Sequence, residues 1–271
     1  MIYTCTTNPS LDYYITIPEL KAGKDTRSDL EMFDAGGKGV NVSIVLNNFR
    51  IPSVCMGFLG GFTKDYYLSF IANYPNIQPL FTTIADNTRI NVKIMDAKSE
   101  TSINAKGPHI TDSEFQRFKS RLNNIYTDDI FILSGNIEVE IKDRMIALVH
   151  ELCEDGVKVL LDTDKDIMKE AKEYLEGGVE NILYSAPGKP SLVFCKDKTL
   201  RCENLADSLV NTTGSADSMV AGFLYGVIHG ADLDESFRYA NAASLATCMS
   251  NDLGSKEKIE ELFDTIEVKE V

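Results

Sequence analysis

The feature that most constrains the fold is a regular alternation between short β-rich runs and helical patterns along the chain. The β-rich runs, each bounded by polar residues, are Ile2–Thr6, Val54–Phe58, Ile130–Leu133, Val157–Leu161 and Ile182–Tyr184. Between them, apolar residues recur at helical spacing, as at Val42, Val45, Leu46 and Phe49. Strands that alternate with helices are typical of a parallel sheet flanked by helices. The chain is therefore predicted to form an α/β core.

Two segments interrupt this alternation, Tyr13–Phe33 and Thr88–Asn104. β-branched residues and period-two alternation dominate both, so they are interpreted as strands joined by polar turns. They are expected to pair into a small β-sheet inserted between core elements. This predicts a core of residues 1–12, 35–86 and 107–271, with residues 13–34 and 87–106 forming the small sheet.

Composition excludes several classes of protein. The 271 residues are 44% hydrophobic, enough for one large core with an appendage. A net charge of −14 argues against a nucleic-acid partner, which requires a surplus of Lys and Arg. No signal-like N-terminus and no apolar run near ~20 residues is found, so the prediction is a cytoplasmic protein without a membrane partner. Six cysteines without a CxxC pair argue against a zinc site or disulfide framework, and the sequence assigns no metal-binding residues.

A carboxamide and a carboxylate follow the first strand in Asn8-Pro9-Ser10-Leu11-Asp12. Ligands of open α/β sheets bind outside the carboxyl ends of the strands, so Asp12 is placed to accept hydrogen bonds from ligand hydroxyls. The same residue types favour turns, and a purely structural turn is the alternative.

A glycine cluster, Gly36-Gly37-Lys38-Gly39, leads into the first long helix, and Asn41 follows it closely. Glycines let a polar ligand approach the backbone, and a helix start presents N–H groups to anions or hydroxyl oxygens. This is not a Walker A loop, because Lys38 is followed by glycine. The cluster indicates either a ligand-binding loop or a plain helix entry.

The run Thr88–Lys93 carries two cations on a predicted strand. Alternation places Arg89, Asn91 and Lys93 on one face, with Ile90 and Val92 on the other. Such a face suits a phosphate or sugar phosphate, since Arg offers forked hydrogen bonds and Lys a point charge. A solvated strand face is the alternative.

A second glycine turn precedes a helix at Gly214-Ser215-Ala216-Asp217. Its N–H groups are expected to stabilise the negative charge of a transferred phosphoryl group. Asp217 could accept the proton of the attacking hydroxyl. Alternatively, it is a first-turn acid that interacts with the helix dipole.

In this order, TTNPSLD, GGKGVNV, the FLGGFTKD stretch at Phe58–Asp65 and TRINVK resemble the ribokinase-like (PfkB-type) carbohydrate kinases, specifically the 1-phosphofructokinase and tagatose-6-phosphate kinase branch. The resemblance implies a three-layer α/β/α ribokinase-like core, with the small sheet as a lid that in relatives often forms a dimer interface. It also implies transfer of phosphate from ATP, with Mg²⁺, to a ketohexose monophosphate. Fructose 1-phosphate is the leading candidate, with tagatose or fructose 6-phosphate as alternatives.

The resemblance also implies roles for individual residues. Asp12, Gly37, Lys38 and Asn41 would hold the sugar, and Arg89 its existing phosphate. Asp217 would be the catalytic base, with the Gly214, Ser215 and Ala216 amides contributing to the anion hole. Ser185 and Gly188, together with Gly214, would approach the nucleotide phosphates.

The sequence departs from the family pattern on the nucleotide side. GSAD, with Ala216, replaces the family's GAGD core, and Asn136 replaces the second serine of an SGS-type turn. No NxxE motif occurs, and prolines stand at 187 and 190 where glycines are expected. Two alternatives to an ATP-dependent kinase therefore remain: a catalytically impaired sugar-phosphate-binding relative, and a kinase that uses another phosphoryl donor.

Overall fold

A computed structural model of the chain describes residues 1–135, 137, 139–163, 171–186, 188–203, 214–250 and 253–271. The strands are β1 (Ile2–Thr6), β2 (Ser10–Thr16), β3 (Leu30–Gly36), β4 (Ser53–Gly60), β5 (Ile77–Pro79), β6 (Thr82–Ile84), β7 (Arg89–Met95), β8 (Glu100–Ile103), β9 (Ile130–Ser134), β10 (Lys158–Thr163), β11 (Asn181–Tyr184), β12 (Ser191–Phe194), β13 (Thr199–Cys202) and β14 (Val268–Glu270). The α-helices are α1 (Lys38–Asn48), α2 (Gly61–Ile71), α3 (Asp112–Arg121), α4 (Lys142–Glu154), α5 (Ala171–Glu176), α6 (Ser215–Ile228), α7 (Leu233–Cys248) and α8 (Lys256–Phe263). Short 3₁₀ turns cover Leu122–Asn124 and Val139–Ile141.

Within the described residues the main sheet runs in the order β14-β13-β12-β11-β10-β9-β1-β4-β5, with β6 also paired to β4. The strands from β11 to β5 are parallel, and β12, β13 and β14 are antiparallel. The predicted mostly parallel sheet is therefore confirmed. Its antiparallel edge follows from a hairpin, since β12 and β13 are joined by a short turn at residues 195–198.

Helices cover both faces of the main sheet. Phe131 of β9 packs with residues of α3 and α4, whereas its neighbour Ile132 packs with residues of α1, α6 and α7. Successive strand residues point to opposite faces, so one strand contributes to both apolar layers. The predicted apolar stripe of α1 is buried, since Val42, Val45 and Leu46 are fully inaccessible. The three-layer α/β/α core is confirmed.

The two interrupting segments form a separate sheet in the order β3-β2-β7-β8. β2 pairs antiparallel with β3 and parallel with β7, so Asp12 lies between Asp34 and Asn91. The predicted small sheet is confirmed as an element. Its strands extend beyond residues 13–34, because Ser10–Asp12 belong to β2 and residues 35 and 36 to β3. The division of the chain into the two predicted units stays a prediction.

The sequence also predicts a helix over residues 166–176, and the structure describes it from Ala171 onward, as α5. Residues 166–170 lie outside the described residues. In the part of the chain that the structure describes, no helix has both the length and the apolar character to cross a membrane.

Candidate active site

A cleft of about 420 Å³ lies between the small sheet and the starts of α1 and α6. Its lining includes Asp12, Gly37 and Asn41 from the predicted sugar side, and Gly214 from the predicted catalytic segment. Residues far apart in the sequence thus meet in one cavity.

Asp12 is a buried carboxylate whose oxygens are oriented by neighbouring side chains. Its Oδ1 accepts hydrogen bonds from Ser10 Oγ at 2.7 Å and Asn91 Nδ2 at 3.0 Å. Its Oδ2 lies 3.2 Å from the ammonium nitrogen of Lys93. A Cβ on Gly36 would lie 2.7 Å from Oδ1, so glycine is required beside this carboxylate.

The glycine loop before α1 has a backbone conformation that favours glycine. Gly37 has φ +147°, and a Cβ there would lie 2.8 Å from Thr6 Cγ2. Tyr67 supports the loop by donating its hydroxyl hydrogen to the Gly36 carbonyl at 3.1 Å. Lys38 begins α1, and its side chain runs past Gly135, the turn after β9.

Asn41 connects the predicted sugar side with the predicted base. Its Nδ2 donates a hydrogen bond of 2.6 Å to Oδ2 of Asp217, across 176 positions of sequence. In the described residues, Oδ1 of Asp217 has no hydrogen-bond partner. One oxygen of this carboxylate is therefore positioned by Asn41, and the other can accept a proton.

The pKa of Asp217 is raised to about 7, mainly by burial and in second place by the charge of Asp162. The Asn41 hydrogen bond and the charge of Lys38 oppose this shift. Asp162 is itself buried, at the carboxyl end of β10. An acid with a pKa near neutrality exchanges protons readily with a substrate hydroxyl, which suits a general base.

The start of α6 is the segment predicted to form an anion hole, and that role stays a prediction. Gly214 is left-handed, with φ +76°, and precedes Ser215, the first residue of the helix. Ala216 is its second residue, and Arg50 and Asp128 are the only non-glycine residues of positive φ among those described. The replacement of glycine by Ala216 therefore imposes no left-handed strain.

Arg89 lies at the base of the small sheet, next to Ser10 in the register of β2 and β7. It donates from Nη2 to the Asn8 carbonyl at 3.1 Å and from Nη1 to the Ala105 carbonyl at 3.3 Å. Asn91 and Lys93 share its face, as the alternation predicts, because both reach Asp12. A phosphate-binding role for Arg89 stays a prediction.

Ser185 and Gly188, predicted to approach the nucleotide, follow β11. Gly188 is exposed and left-handed, with φ +69° and no atom within 4 Å of an added Cβ. Pro187 and Asn136, two departures from the family pattern, lie outside the described residues. The assignment of Ser185 and Gly188 stays a prediction.

Sequence reasoning did not select Asp34, Tyr14 or Asp162. Asp34 and Tyr14 line the cleft, and Asp162 acts on Asp217 through its charge. A signal existed for Asp162, because an acid that ends the apolar run Val157–Leu161 lies at the sheet edge that binds ligands. For Asp34 only the pairing of β2 with β3 shows its position opposite Asp12.

Comparison with known proteins identifies the class as sugar kinases. The family described as pfkB family carbohydrate kinase matches residues 12–166 and 154–259. A 1-phosphofructokinase from Bacillus subtilis is 30% identical over 302 residues, covering 99% of both chains. A D-tagatose-1-phosphate kinase from Bacillus licheniformis is 26% identical over 303 residues, again covering 99% of both. The solved structure of a candidate phosphofructokinase from Staphylococcus aureus is 29% identical, has a TM-score of 0.84, and covers 100% of this chain and 99% of its own.

The chain belongs to the pfkB family of carbohydrate kinases. The 302 positions aligned with the Bacillus subtilis relative exceed the 271 residues here, so at least 31 of them have no counterpart in this chain. This shortening agrees with the absence of an NxxE motif.

Proposed function

We propose that the protein transfers a phosphoryl group from ATP, with Mg²⁺, to a hydroxyl of a ketohexose monophosphate. Fructose 1-phosphate is the leading substrate, and the product is the bisphosphate. The hydrogen bond between Asn41 and Asp217 carries this proposal, because Asn41 lines the cleft and joins the predicted sugar-binding loop to the predicted base beside it. The names of the relatives, 1-phosphofructokinase and D-tagatose-1-phosphate kinase, support the same chemistry.

Asp217 takes the proton of the attacking hydroxyl at its Oδ1, which has no hydrogen-bond partner in the described residues. Asn41 holds the opposite oxygen, so the carboxylate cannot rotate freely. Asp12, Gly37, Lys38 and Asn41 hold the sugar in this proposal, and Arg89 binds its phosphate. Positioning of the hydroxyl against the base supplies much of the rate enhancement.

The residues present fit a polyphosphate donor at the start of α6. The helix N-terminus, preceded by left-handed Gly214, presents backbone N–H groups to negative charge. Lys38 adds positive charge near Asp217. The Gly214–Asp217 amides thus stabilise the charge of the transferred group, and Ser185 and Gly188 contact the donor in this proposal.

Fewer of the described residues fit Mg²⁺ than fit the polyphosphate donor. Among the described residues no group of three or more His, Cys, Asp or Glu side chains forms a metal site. Two buried carboxylates, Asp162 and Asp217, are close enough to interact electrostatically. Asp162 is the residue we propose to hold the metal, and a divalent ion there would supply charge neutralisation for the transferred group.

The alternative of an impaired relative loses its main structural argument. It required a strained or misplaced backbone at Ala216, whereas Ala216 has ordinary helical geometry at the start of α6. Asp217 is buried and accepts a hydrogen bond from Asn41, which supports its proposed role as base.

We also propose a homodimer through the small sheet. One face of that sheet carries a row of side chains that is apolar apart from one hydroxyl: Phe33, Tyr13, Val92 and Ile103 are neighbours across four strands. Phe33 and Ile103 are exposed, at 39% and 57%. A second copy of this face would cover them.

The test is product formation from Mg-ATP and a panel of fructose 1-phosphate, fructose 6-phosphate and tagatose 6-phosphate, followed by ³¹P NMR. We expect bisphosphate from at least one sugar, and a ~10²–10⁴-fold lower kcat for Asp217→Asn with its sugar-phosphate Kd nearly unchanged. Asp143→Asn is the control, because Asp143 is an exposed first-turn acid of α4 outside the cleft. Tight binding of a sugar phosphate by the wild type without any turnover would contradict the proposal.

A further inference from the structure

Asp34 is a second carboxylate in the cleft, and the proposed reaction assigns it no role. It lies directly opposite Asp12 in the register of β2 and β3. Side chains directly opposite in an antiparallel pair share a face, with Cβ atoms about 4.5–5.5 Å apart. Both residues line the 420 Å³ cleft, so two acids stand side by side on its wall.

This pair is unfavourable for the protein alone. Like charges directly opposite in a sheet are destabilising, and burial together with the charge of Asp12 raises the pKa of Asp34. The Ala35 N–H and the Lys93 ammonium oppose this effect. Lys93 lies closer to Asp12, at 3.2 Å from Oδ2, and also donates to the Tyr14 hydroxyl at 2.9 Å.

The two carboxylates also differ in how their oxygens are used. Both oxygens of Asp12 are occupied, by Ser10 and Asn91 on one and by Lys93 on the other. Oδ1 of Asp34 is buried, and no described residue donates a hydrogen bond to it. A buried carboxylate oxygen needs a donor, and the adjoining cleft is where a ligand can supply one.

The ligand chemistry follows from charge and spacing. Two adjacent carboxylates accept hydrogen bonds from hydroxyls on neighbouring carbons, and they repel a phosphate. Lys93 balances only one of the two negative charges. A sugar phosphate therefore binds with its polyol part against Asp12 and Asp34 and its phosphate directed away from them.

We infer that Asp34 is a specificity-determining residue that accepts a hydroxyl of the sugar next to the one held by Asp12. The inference rests on the proposed function, since it assigns a hydroxyl of the proposed substrate. Asp34 acts in binding and orientation, whereas Asp217 acts on the proton.

The test combines Asp34→Ala with deoxy analogues of the best sugar phosphate, each lacking one hydroxyl. For wild type, one analogue should lose about tenfold or more in kcat/KM, because a buried acceptor is left unpaired. Asp34→Ala should show a similar loss with the parent sugar, mainly in KM, and no further loss with that one analogue. The KM for Mg-ATP should stay unchanged.

Two further variants serve as controls for Asp34→Ala. Glu31→Ala removes an exposed acid from the same strand and should leave every ratio as in wild type. Asp34→Asn keeps the shape and one acceptor oxygen, and should give an intermediate loss if Asp34→Ala folds poorly. An equal loss by Asp34→Ala for the parent sugar and every analogue would overturn the inference while leaving the kinase function standing.

Calorimetry separates the two proposals. If wild type binds the sugar phosphates without turnover, the same comparison is made on Kd values, and the kinase function alone fails. If wild type binds none of them, the proposed substrate class fails, and the role of Asp34 fails with it.

Discussion

The protonation of Asp217 links burial to activity. With its pKa raised to about 7, a large part of this carboxyl is protonated below neutrality, and a protonated carboxyl cannot accept the substrate proton. We therefore expect kcat/KM to rise about tenfold per pH unit below about 7 and to level off above it. A pH profile with the best sugar phosphate measures this, and the residual activity of Asp217→Asn should lack the inflection. A wild-type profile that is flat between pH 5.5 and 8 would contradict a base of this pKa.

The raised pKa of Asp217 also makes the folding stability depend on pH. A raised pKa means that the folded state binds the proton more tightly than the unfolded chain, for which the ordinary value is 3.8. The contribution of this proton to folding stability is therefore fully present below about pH 3.8. It is lost as the pH rises through about 7. Between pH 4 and pH 8, the free energy of unfolding of Asp217→Asn should rise by on the order of 2–4 kcal/mol relative to that of the wild type. Chemical denaturation at both pH values measures it, and Asp143→Asn should show no such trend.

Gly37 combines a left-handed backbone with a close contact. Gly37→Ala should cost about 2 kcal/mol or more, because φ is +147° and the new Cβ would meet Thr6. Sugar-phosphate affinity should fall as well, since the loop lines the cleft. Gly23→Ala is the matched control, because Gly23 also has positive φ, +73°, but nothing lies within 4 Å. Equal effects of the two substitutions would show that strain alone, and not the contact, matters.

At the level of elements, strand β7 shows how far periodicity can predict a site. Alternation alone predicted that Arg89, Asn91 and Lys93 share a face, and the contacts of Asn91 and Lys93 with Asp12 agree with this. Alternation could not predict which neighbouring strand presents Asp12 to that face. That depends on the pairing of β2 with β7, which lie more than seventy residues apart.

Asp34 illustrates the corresponding limit for β3. Asp34 lies beside the glycine run, so the local sequence predicts that it is part of the entry into α1. Only the antiparallel register with β2 shows that it lies at the cleft. The loop between these strands, residues 17–29, is much longer than the two- to five-residue hairpin turns that set a register locally. Long-range pairing, rather than local propensity, therefore decides which polar residues of the small sheet reach the ligand.

Strand β7 also carries a prediction about the substrate phosphate. Arg89→Ala should weaken binding of the phosphorylated sugar by about tenfold or more and binding of ATP far less, because its guanidinium lies at the base of the small sheet. Arg117→Ala is the control, an exposed arginine that likewise donates to a backbone carbonyl, that of Thr83. Titration calorimetry with each ligand measures both affinities. Equal losses for the two ligands after Arg89→Ala would refute the assigned role.

For the whole molecule, the alternation of strands and helices was enough to predict the three-layer core, and the order of motifs was enough to predict the family. Both depend on local periodicity and on residue order. The sequence pattern could not show that β1 passes directly into the small sheet, because Asn8 and Pro9 favour a turn. For that reason the predicted core ended at residue 12, three residues into a strand of the small sheet.

The assembly proposal belongs to the same scale. Ile103→Lys places a charge on the apolar face of the small sheet and should convert a dimer into a monomer, as measured by analytical ultracentrifugation. Leu30→Lys is the matched control, because Leu30 is 64% exposed on the opposite face of the same sheet. A wild-type monomer at micromolar concentration, or dissociation by both variants alike, would contradict the proposed interface.

The position of Asp12 and Asp34 on the small sheet has a consequence for how such enzymes diversify. Two of the side chains that contact the sugar polyol in our proposals, Asp12 and Asp34, lie on β2 and β3, and Arg89, proposed to bind its phosphate, lies on β7. The proposed base and anion hole belong to α6 of the core. Substitutions in the small sheet can therefore alter which sugar is accepted without rebuilding the phosphoryl-transfer machinery. Exchanging these strands between two relatives should therefore also exchange their sugar preferences.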